Sequence, residues 1–287
     1  MARELLPGQK RFTVGSVAAD LTLIAWFIFS LFPIIWMVIL SLKNTEQQTS
    51  TYFSFSPTLE NFSTVLSNKG TELTSVDFKA SLLTSLINCG GAVIVSLVIG
   101  IPAAYAAGRW KYRGSEDLMF QMLSFRFAPE LMVIVPLFVI YNQIGLFDTN
   151  VGMIWVLQLV TMPLVVWILR SYFQDLPEDL EQAALLDGYT RSRAFVMVAL
   201  PLVRPGIAAA GLLAFIFAWN NYVFPLILAD SNAGVTVAIT KFLGGGGQAY
   251  YNLTAAAAVI AALPPLILAL TIQRYLVRGL SFGAVKA

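Results

Sequence analysis

The chain has 287 residues and a formal net charge of +2; 57% of its residues are hydrophobic and only 12% are charged. A soluble domain carries about a quarter charged residues, so this composition excludes a chain that faces water on all sides and favours a lipid environment. The small net charge argues against nucleic acid as a partner, and the absence of histidine argues against a catalytic or metal site. The single cysteine, Cys89, excludes an internal disulfide and is interpreted as a small buried apolar residue.

Six apolar runs are long enough to cross a membrane as helices, since a span needs about 20 mostly apolar residues. Prolines and glycines interrupt several of them, which lipid tolerates where neighbouring helices cover the freed backbone groups. The first run is too long for a signal-peptide core and is expected to remain as an anchor. The sequence therefore predicts an all-α integral membrane protein with six transmembrane helices. These cover residues 14–42, 81–107, 118–147, 151–169, 207–229 and 253–272.

Basic residues are distributed unevenly over the segments that flank these runs. One side has thirteen: Arg3, Lys10, Arg11, Arg109, Lys111, Arg113, Arg170, Arg191, Arg193, Arg204, Arg274, Arg278 and Lys286. The other side has four: Lys43, Lys69, Lys79 and Lys241. The excess predicts that both termini lie in the cytoplasm. Residues 44–79 then form an external cap, and residues 175–202 form a cytoplasmic loop.

The cytoplasmic loop is predicted to fold as a helix–turn–helix bracket. Pro177 suits the first turn of a helix, and the acidic residues around it oppose the positive end of the helix dipole. Gly188 can adopt the left-handed conformation that ends a helix, and a second helix is expected from about Thr190. Spacings of three and four residues predict one shared face, formed by Leu180, Ala183, Ala184 and Asp187.

Two interpretations of the bracket differ in what it contacts. An amphipathic helix can rest on lipid headgroups, but anionic lipid repels the acidic first half of this one. A docking element for a soluble protein fits the charges better.

The bracket resembles a motif of the membrane subunits of binding-protein-dependent ABC importers. The family pattern is E-A-A, three residues, G, nine residues, I-x-L-P. The matching positions are Ala183, Ala184, Gly188, Val198, Leu200 and Pro201. Gln182 stands where the family usually has glutamate, and Glu181 precedes it. The resemblance implies a coupling helix that seats in a groove of an ATPase subunit, with the contributing residues Glu181, Gln182, Ala183, Ala184, Leu186, Asp187 and Gly188.

Further segments narrow the resemblance to the maltose-type carbohydrate permeases. They lie at 105–109, 142–149, 187–188, 219–221, 273–275 and 279–286. The resemblance implies the type I importer architecture in the cytoplasmic (inner) membrane of a bacterium or archaeon. It also implies a second and distinct permease subunit, two ATPase subunits that bind ATP and magnesium, and an external solute-binding protein. No G-x-x-x-x-G-K-[ST] loop occurs, and Gly244–Gly247 is interpreted as a flexible external tip, so this chain is not expected to hydrolyse ATP.

Charged side chains within apolar runs usually face the interior or a cavity, and three occur here: Asp20, Arg126 and Glu130. Asp20 lies either within its span or at the interface. Arg126 and Glu130 stand four residues apart and are expected to lie on one helical face, either as an internal ion pair or as a polar lining for a hydroxyl-rich solute. Pro129 between them is expected to open the helix locally.

Polar residues in the fifth run form a second group of pathway candidates: Trp219, Asn220, Asn221 and Tyr222. Amides in hydrocarbon need hydrogen-bond partners, so these residues either join helices or face the translocation path. On the path, asparagine would bond sugar hydroxyls and an aromatic ring would stack on the sugar. Asn142, Gln143 and Gln158 are weaker candidates, and Asn88 is interpreted as a bond to a neighbouring helix.

Three classes of function fit a membrane protein of this kind. An importer permease subunit accounts for the bracket and the charge bias together. A secondary transporter driven by protons or sodium has only Asp20 and Glu130 in its favour and shows no clear inverted repeat. A membrane scaffold would need no ATPase partner. An enzyme is disfavoured, because no nucleophile, base and orienting group stand at a readable spacing.

Overall fold

The computed structural model describes residues 14–67, 77–110, 113–126, 130–244 and 249–283, and these residues form helices and no β-strand. The helices are α1 Val14–Ser41, α2 Glu60–Val65, α3 Phe78–Arg109, α4 Ser115–Phe125, α5 Glu130–Ile144, α6 Asn150–Val156, α7 Gln158–Asp175, α8 Glu178–Leu186, α9 Arg191–Leu202, α10 Arg204–Trp219, α11 Val223–Leu228, α12 Val235–Gly244 and α13 Tyr251–Gly283. Some positions named above lie outside the described residues: Arg3, Lys10, Arg11, Lys69, Lys111, Pro129, the glycines at 245–247, and Lys286.

Three helices, α1, α3 and α13, are each long and apolar enough to cross a membrane alone. Three further spans are available if each bent pair counts as one: α4 with α5 at 87°, α6 with α7 at 46°, and α9 with α10 at 71°. The described residues thus offer between three and six spans by length and composition.

The predicted runs differ from the helices where the chain changes direction. Runs 118–147 and 151–169 are each divided between two helices, and run 207–229 ends as one helix at Trp219 before α11 begins. Hydropathy measures how apolar a segment is and not the direction of its axis. Bends of 46° to 87° between successive helices therefore cannot be read from the hydropathy of the sequence.

α3 packs closely on α7 next to the bracket. Gly100, Ala104 and Gly108 recur every four residues on α3, a small-residue stripe that lets two membrane helices approach closely. A methyl group on Gly100 would lie 2.9 Å from Val165 Cγ1, and one on Gly108 would lie 3.1 Å from the carbonyl oxygen of Arg170. This contact places the end of α3 beside the point where α7 leads into α8.

The segment after α1, described as far as residue 67, is tied to α13. The Lys43 side chain is fully buried, and its ammonium lies 4.7 Å from the centre of the Trp36 ring. The Asn61 amide donates to the carbonyl oxygen of Lys43 at 2.8 Å, and Asn252 at the start of α13 donates to Asn61 Oδ1 at 2.9 Å.

A second connection joins the loop between α5 and α6 to the loop after α11. Asp148 has a positive φ of 55°, and its Oδ1 accepts hydrogen bonds from the N–H groups of Asp230 and Asn232, both at 2.9 Å. Its Oδ2 accepts from the Ser231 hydroxyl at 2.5 Å. Partial burial acts to raise the pKa of Asp148, but these hydrogen bonds outweigh it and hold the pKa below its ordinary value.

Substituting Asp148→Asn should lower stability at neutral pH, because hydrogen bonds to a charged acceptor contribute about 1.5–3 kcal/mol and the amide is a weaker acceptor. Asparagine tolerates a positive φ, so the backbone conformation is retained. A carboxyl whose folded pKa is depressed stabilises the fold above its unfolded pKa, and this contribution is lost as pH falls through the folded pKa. Thermal unfolding in detergent should therefore show a gap between wild type and variant that narrows on acidification. A gap that is constant with pH would show that the charge contributes nothing.

Candidate coupling site and polar helix break

The first helix of the bracket, α8, begins at Glu178. Pro177 is its N-cap with extended backbone (ψ 128°), one residue before the first-turn position that the sequence predicted. The first turn contains Glu178, Asp179 and Glu181, whose charges oppose the positive end of the helix dipole. The acidic start thus stabilises a helix of only 9 residues.

Gly188 ends α8 in the left-handed conformation, which confirms the prediction for this residue: its φ is 87°. The N–H of Tyr189 donates to the carbonyl oxygen of Ala184 at 3.0 Å, and the N–H of Gly188 donates to that of Leu185 at 3.1 Å. This pair of bonds is the Schellman arrangement, which satisfies carbonyls at a helix end. Thr190 then caps α9 by accepting from the N–H of Arg193 at 3.3 Å. Two helices with a defined turn between them result.

One face of α8 is attached to the body of the protein. Glu181 Oε1 accepts from Arg109 Nε at 2.8 Å, and its Oε2 accepts from the Tyr105 hydroxyl at 2.5 Å. Arg109 Nη1 also donates to the carbonyl oxygen of Leu176 at 2.7 Å. Ala184, one turn along the helix, is only 6% exposed. Tyr105, Arg109 and Leu176 were not predicted as site residues.

The opposite face of α8 is open. Gln182, Ala183 and Leu186 are exposed, and Leu186 is 90% exposed although it is apolar. Leu180, Ala183, Ala184 and Asp187 lie within about 100° of one another around the helix, as their spacing predicted. They do not share one environment, however, because Ala184 is buried and the other three are exposed.

The polar residues at the end of α10 are divided between the interior and the surface. Trp219 is 5% exposed, and its ring N–H donates to the carbonyl oxygen of Ala261 at 3.1 Å. Asn221, 8% exposed, donates to Glu130 Oε1 at 3.0 Å. Asn220 is exposed and bonds its own helix, and Tyr222 is 37% exposed.

The prediction that Arg126 and Glu130 lie on one helical face is wrong. The helix ends at Phe125 and the next one begins at Glu130, so the spacing of four residues does not lie on one continuous helix. The Arg126 guanidinium lies 4.0 Å above the centre of the Phe217 ring, and Glu130 is bonded to Asn221. Both charged side chains therefore attach to the end of α10 and to the break after it.

The weaker candidates have mostly structural partners. Gln158 accepts from the Ser96 hydroxyl at 2.7 Å and joins α7 to α3, and Asn142 donates to a carbonyl of its own helix. Asn88 is buried, and its Oδ1 has no hydrogen-bond partner among the described residues. Gln143 and Asp20 are exposed.

Long apolar helices, bent pairs of helices and a capped helical bracket held along one face are the features of a multi-span membrane protein. Residues 96–282 match the family described as "Binding-protein-dependent transport system inner membrane component", and the chain belongs to that family.

Similar proteins come from several organisms. The trehalose transport system permease protein SugB of Mycobacterium tuberculosis is 34% identical over 267 residues, which are 90% of this chain and 93% of that protein. The trehalose/maltose transport system permease protein MalG of Thermococcus litoralis is 33% identical over 264 residues, 90% of this chain and 92% of that one. The resemblance to maltose-type permeases is confirmed.

Solved structures share the fold. A chain of a bacterial ABC transporter involved in the import of the acidic polysaccharide alginate superposes with a TM-score of 0.74 at 21% identity. The match covers 94% of this chain and 99% of that one. The alginate transporter in complex with a pentasaccharide-bound periplasmic protein gives a TM-score of 0.64 at 16% identity, over 90% and 92% of the two chains.

Proposed function

We propose that this chain is a membrane subunit of an ATP-driven importer and forms half of the path for a sugar or a related polyhydroxylated solute. In this proposal it has six spans, three of them the bent pairs, with both termini in the cytoplasm. A second permease subunit completes the path, and an external binding protein delivers the solute. Two ATPase subunits, which bind ATP and magnesium, dock on the bracket.

The observation that carries the proposal is the two-sided environment of α8. One face is attached to α3 through Glu181, and the other presents Gln182, Ala183 and the 90% exposed Leu186. We assign this exposed leucine, on a capped helix that is held along its other face, to a surface that a partner covers. The turn at Gly188 fixes the direction in which that surface faces.

Force is proposed to pass from the ATPase subunits to the spans through the elements that touch the bracket. Closure of the ATPases displaces α8 and, with it, α3, α7 and α10. The two permease subunits then rock, and the central cavity changes between outward and inward access. Binding energy can shift such an equilibrium only if it differs between the two states.

The solute class is inferred from relatives and from the helix break. The similar permeases are named for trehalose, maltose, diacetylchitobiose and sulfoquinovosyl glycerol, all of them sugars or sugar derivatives. Asn220 and Tyr222 are exposed at the break, so we assign them to the path. Arg126, Glu130, Trp219 and Asn221 hold the break in position through the contacts described above.

Uptake by proteoliposomes that contain the assembled transporter tests the proposal. Uptake of a sugar should require the binding protein outside and ATP at the ATPase side, and should be indifferent to proton and sodium gradients. Thermal stabilisation of the binding protein by a panel of sugars and polyols identifies the solute to use. Uptake that follows an ion gradient without ATP would establish a secondary transporter instead.

A further inference from the structure

We propose that Glu181, Tyr105 and Arg109 form a clasp that makes α8 and the end of α3 move as one body, so that force on α8 reaches the membrane through α3. The clasp is defined as these three side chains together with the carbonyl oxygen of Leu176. This inference rests on the proposed importer function and assigns Glu181 to positioning within the permease, not to contact with the ATPase.

The clasp is closely bonded and largely shielded from water. The side chains of Arg109 and Glu181 are 7% and 15% exposed, and their ion pair has a separation of 2.6 Å. Both oxygens of the Glu181 carboxylate are used, one by Arg109 and one by Tyr105. Charge-assisted hydrogen bonds of this kind are roughly twice as strong as neutral ones, and a shielded pair is not weakened as a surface pair is.

The position of the clasp decides how α8 can move. The chain enters α8 from α7 through Leu176 and Pro177, a joint of two residues. A helix on such a joint can swing about it unless a second connection holds it. Arg109 supplies that connection, because it bonds the Leu176 carbonyl within the joint and Glu181 beyond it.

Tyr105 extends the clasp to the helices beside it. Its ring centre lies 5.3 Å from that of Phe173 at the end of α7 and 4.5 Å from that of Phe195 in α9. The hydroxyl of the same side chain donates to Glu181. The two helices of the bracket and the ends of α3 and α7 thus meet at one residue, as transmission of a displacement requires.

Glu181 and Gln182 are adjacent on α8 but have different surroundings, and therefore different roles. Gln182 is exposed on the open face, whereas Glu181 is turned toward α3. Glu181 therefore does not replace the glutamate that the family motif has at position 182. The isosteric exchanges Glu181→Gln and Gln182→Glu provide a matched pair on adjacent residues of one helix.

The assembled transporter, reconstituted with its ATPase subunits and binding protein, tests the clasp. Glu181→Gln should leave assembly and basal ATP hydrolysis unchanged but lower uptake per ATP hydrolysed by about tenfold, the factor that corresponds to about 1.4 kcal/mol. Gln182→Glu should not lower this ratio. Tyr105→Phe keeps the ring contacts and removes one hydroxyl bond, so it should give a smaller loss and serves if Glu181→Gln fails to fold.

A distance measurement tests the single-body movement directly and does not depend on transport. Spin labels at cysteines replacing Leu180 of α8 and Val98 of α3, in a Cys89→Ala background, report the separation of the two helices. The separation should be the same with and without nucleotide in the otherwise wild-type protein and should change or broaden in Glu181→Gln. A wild-type separation that changes with nucleotide, or a Glu181→Gln variant with unchanged separation and coupling, would overturn the clasp. A wild-type transporter without ATP-dependent uptake would overturn the importer function alone.

Discussion

Replacing Gly188 with proline is expected to abolish solute uptake and the ATP turnover linked to it, while the subunit stays in the membrane. Gly188 has a φ of 87°, and its N–H donates to the carbonyl oxygen of Leu185. Proline fixes φ near about −65° and has no N–H, so it cannot take this position without rearrangement of the turn. The open face of α8 and the start of α9 would then lose their relative orientation. Closure of the ATPase subunits would no longer displace the spans in the direction that transport requires.

Other substitutions at the same position separate the conformational requirement from a general loss of stability. Nothing lies within 4 Å of a methyl group placed on Gly188, so the cost of a side chain there is conformational and not steric crowding. Asparagine adopts the left-handed conformation readily, whereas alanine pays roughly 1–2 kcal/mol for it. We expect uptake to decrease in the order Gly188→Asn, Gly188→Ala, Gly188→Pro. Normal uptake by the proline variant would contradict the coupling role of the bracket.

The features that the sequence predicted best are those encoded by neighbouring residues. The long apolar runs of α1, α3 and α13 and the left-handed end of α8 at Gly188 depend on local composition and on one residue's φ. The bends did not follow from composition. The segment around Arg126 and Glu130 is as apolar as a span on average, yet it holds two helices with axes 87° apart.

The clasp was missed because its parts are distant in sequence. Glu181 lies 72 residues from Arg109 and 76 from Tyr105, and only the packing of α3 on α7 brings them together. One local signal was present. Tyr105 and Arg109 stand four residues apart at the polar end of a span and so share a face, which predicts a partner for the pair but not its identity.

The polar group at the end of α10 shows a different limit. Trp219 and Asn221 are buried while Asn220 and Tyr222 are exposed. Burial alternates because the helix ends at Trp219 and the next begins at Val223. In the continuous helix that the sequence predicted, exposure would repeat about every 3.6 residues and would not alternate from one residue to the next. The residue types were informative about chemistry and uninformative about which side chains are accessible.

Replacing Leu186 with glutamine is expected to weaken binding of the ATPase subunit by roughly ten- to a hundredfold. Leu186 is 90% exposed in the isolated chain and ends the open face of α8. Burying a leucine side chain on docking contributes about 1.5–3 kcal/mol, and each 1.4 kcal/mol is about tenfold in affinity. Glutamine is a good helix former, so α8 itself should persist. Affinity for the purified ATPase subunit, measured on the permease in detergent, reports the change.

Leu186→Met is the matched control, because methionine conserves the volume and apolar character of leucine and should bind the ATPase within about threefold of wild type. A side chain that is exposed in the free subunit contributes little to its own fold, so both variants should unfold at the wild-type temperature. A glutamine variant that binds the ATPase as tightly as wild type would place Leu186 outside the interface. The docking surface would then be limited to the polar part of the open face, around Gln182, and the exposed leucine would need another partner.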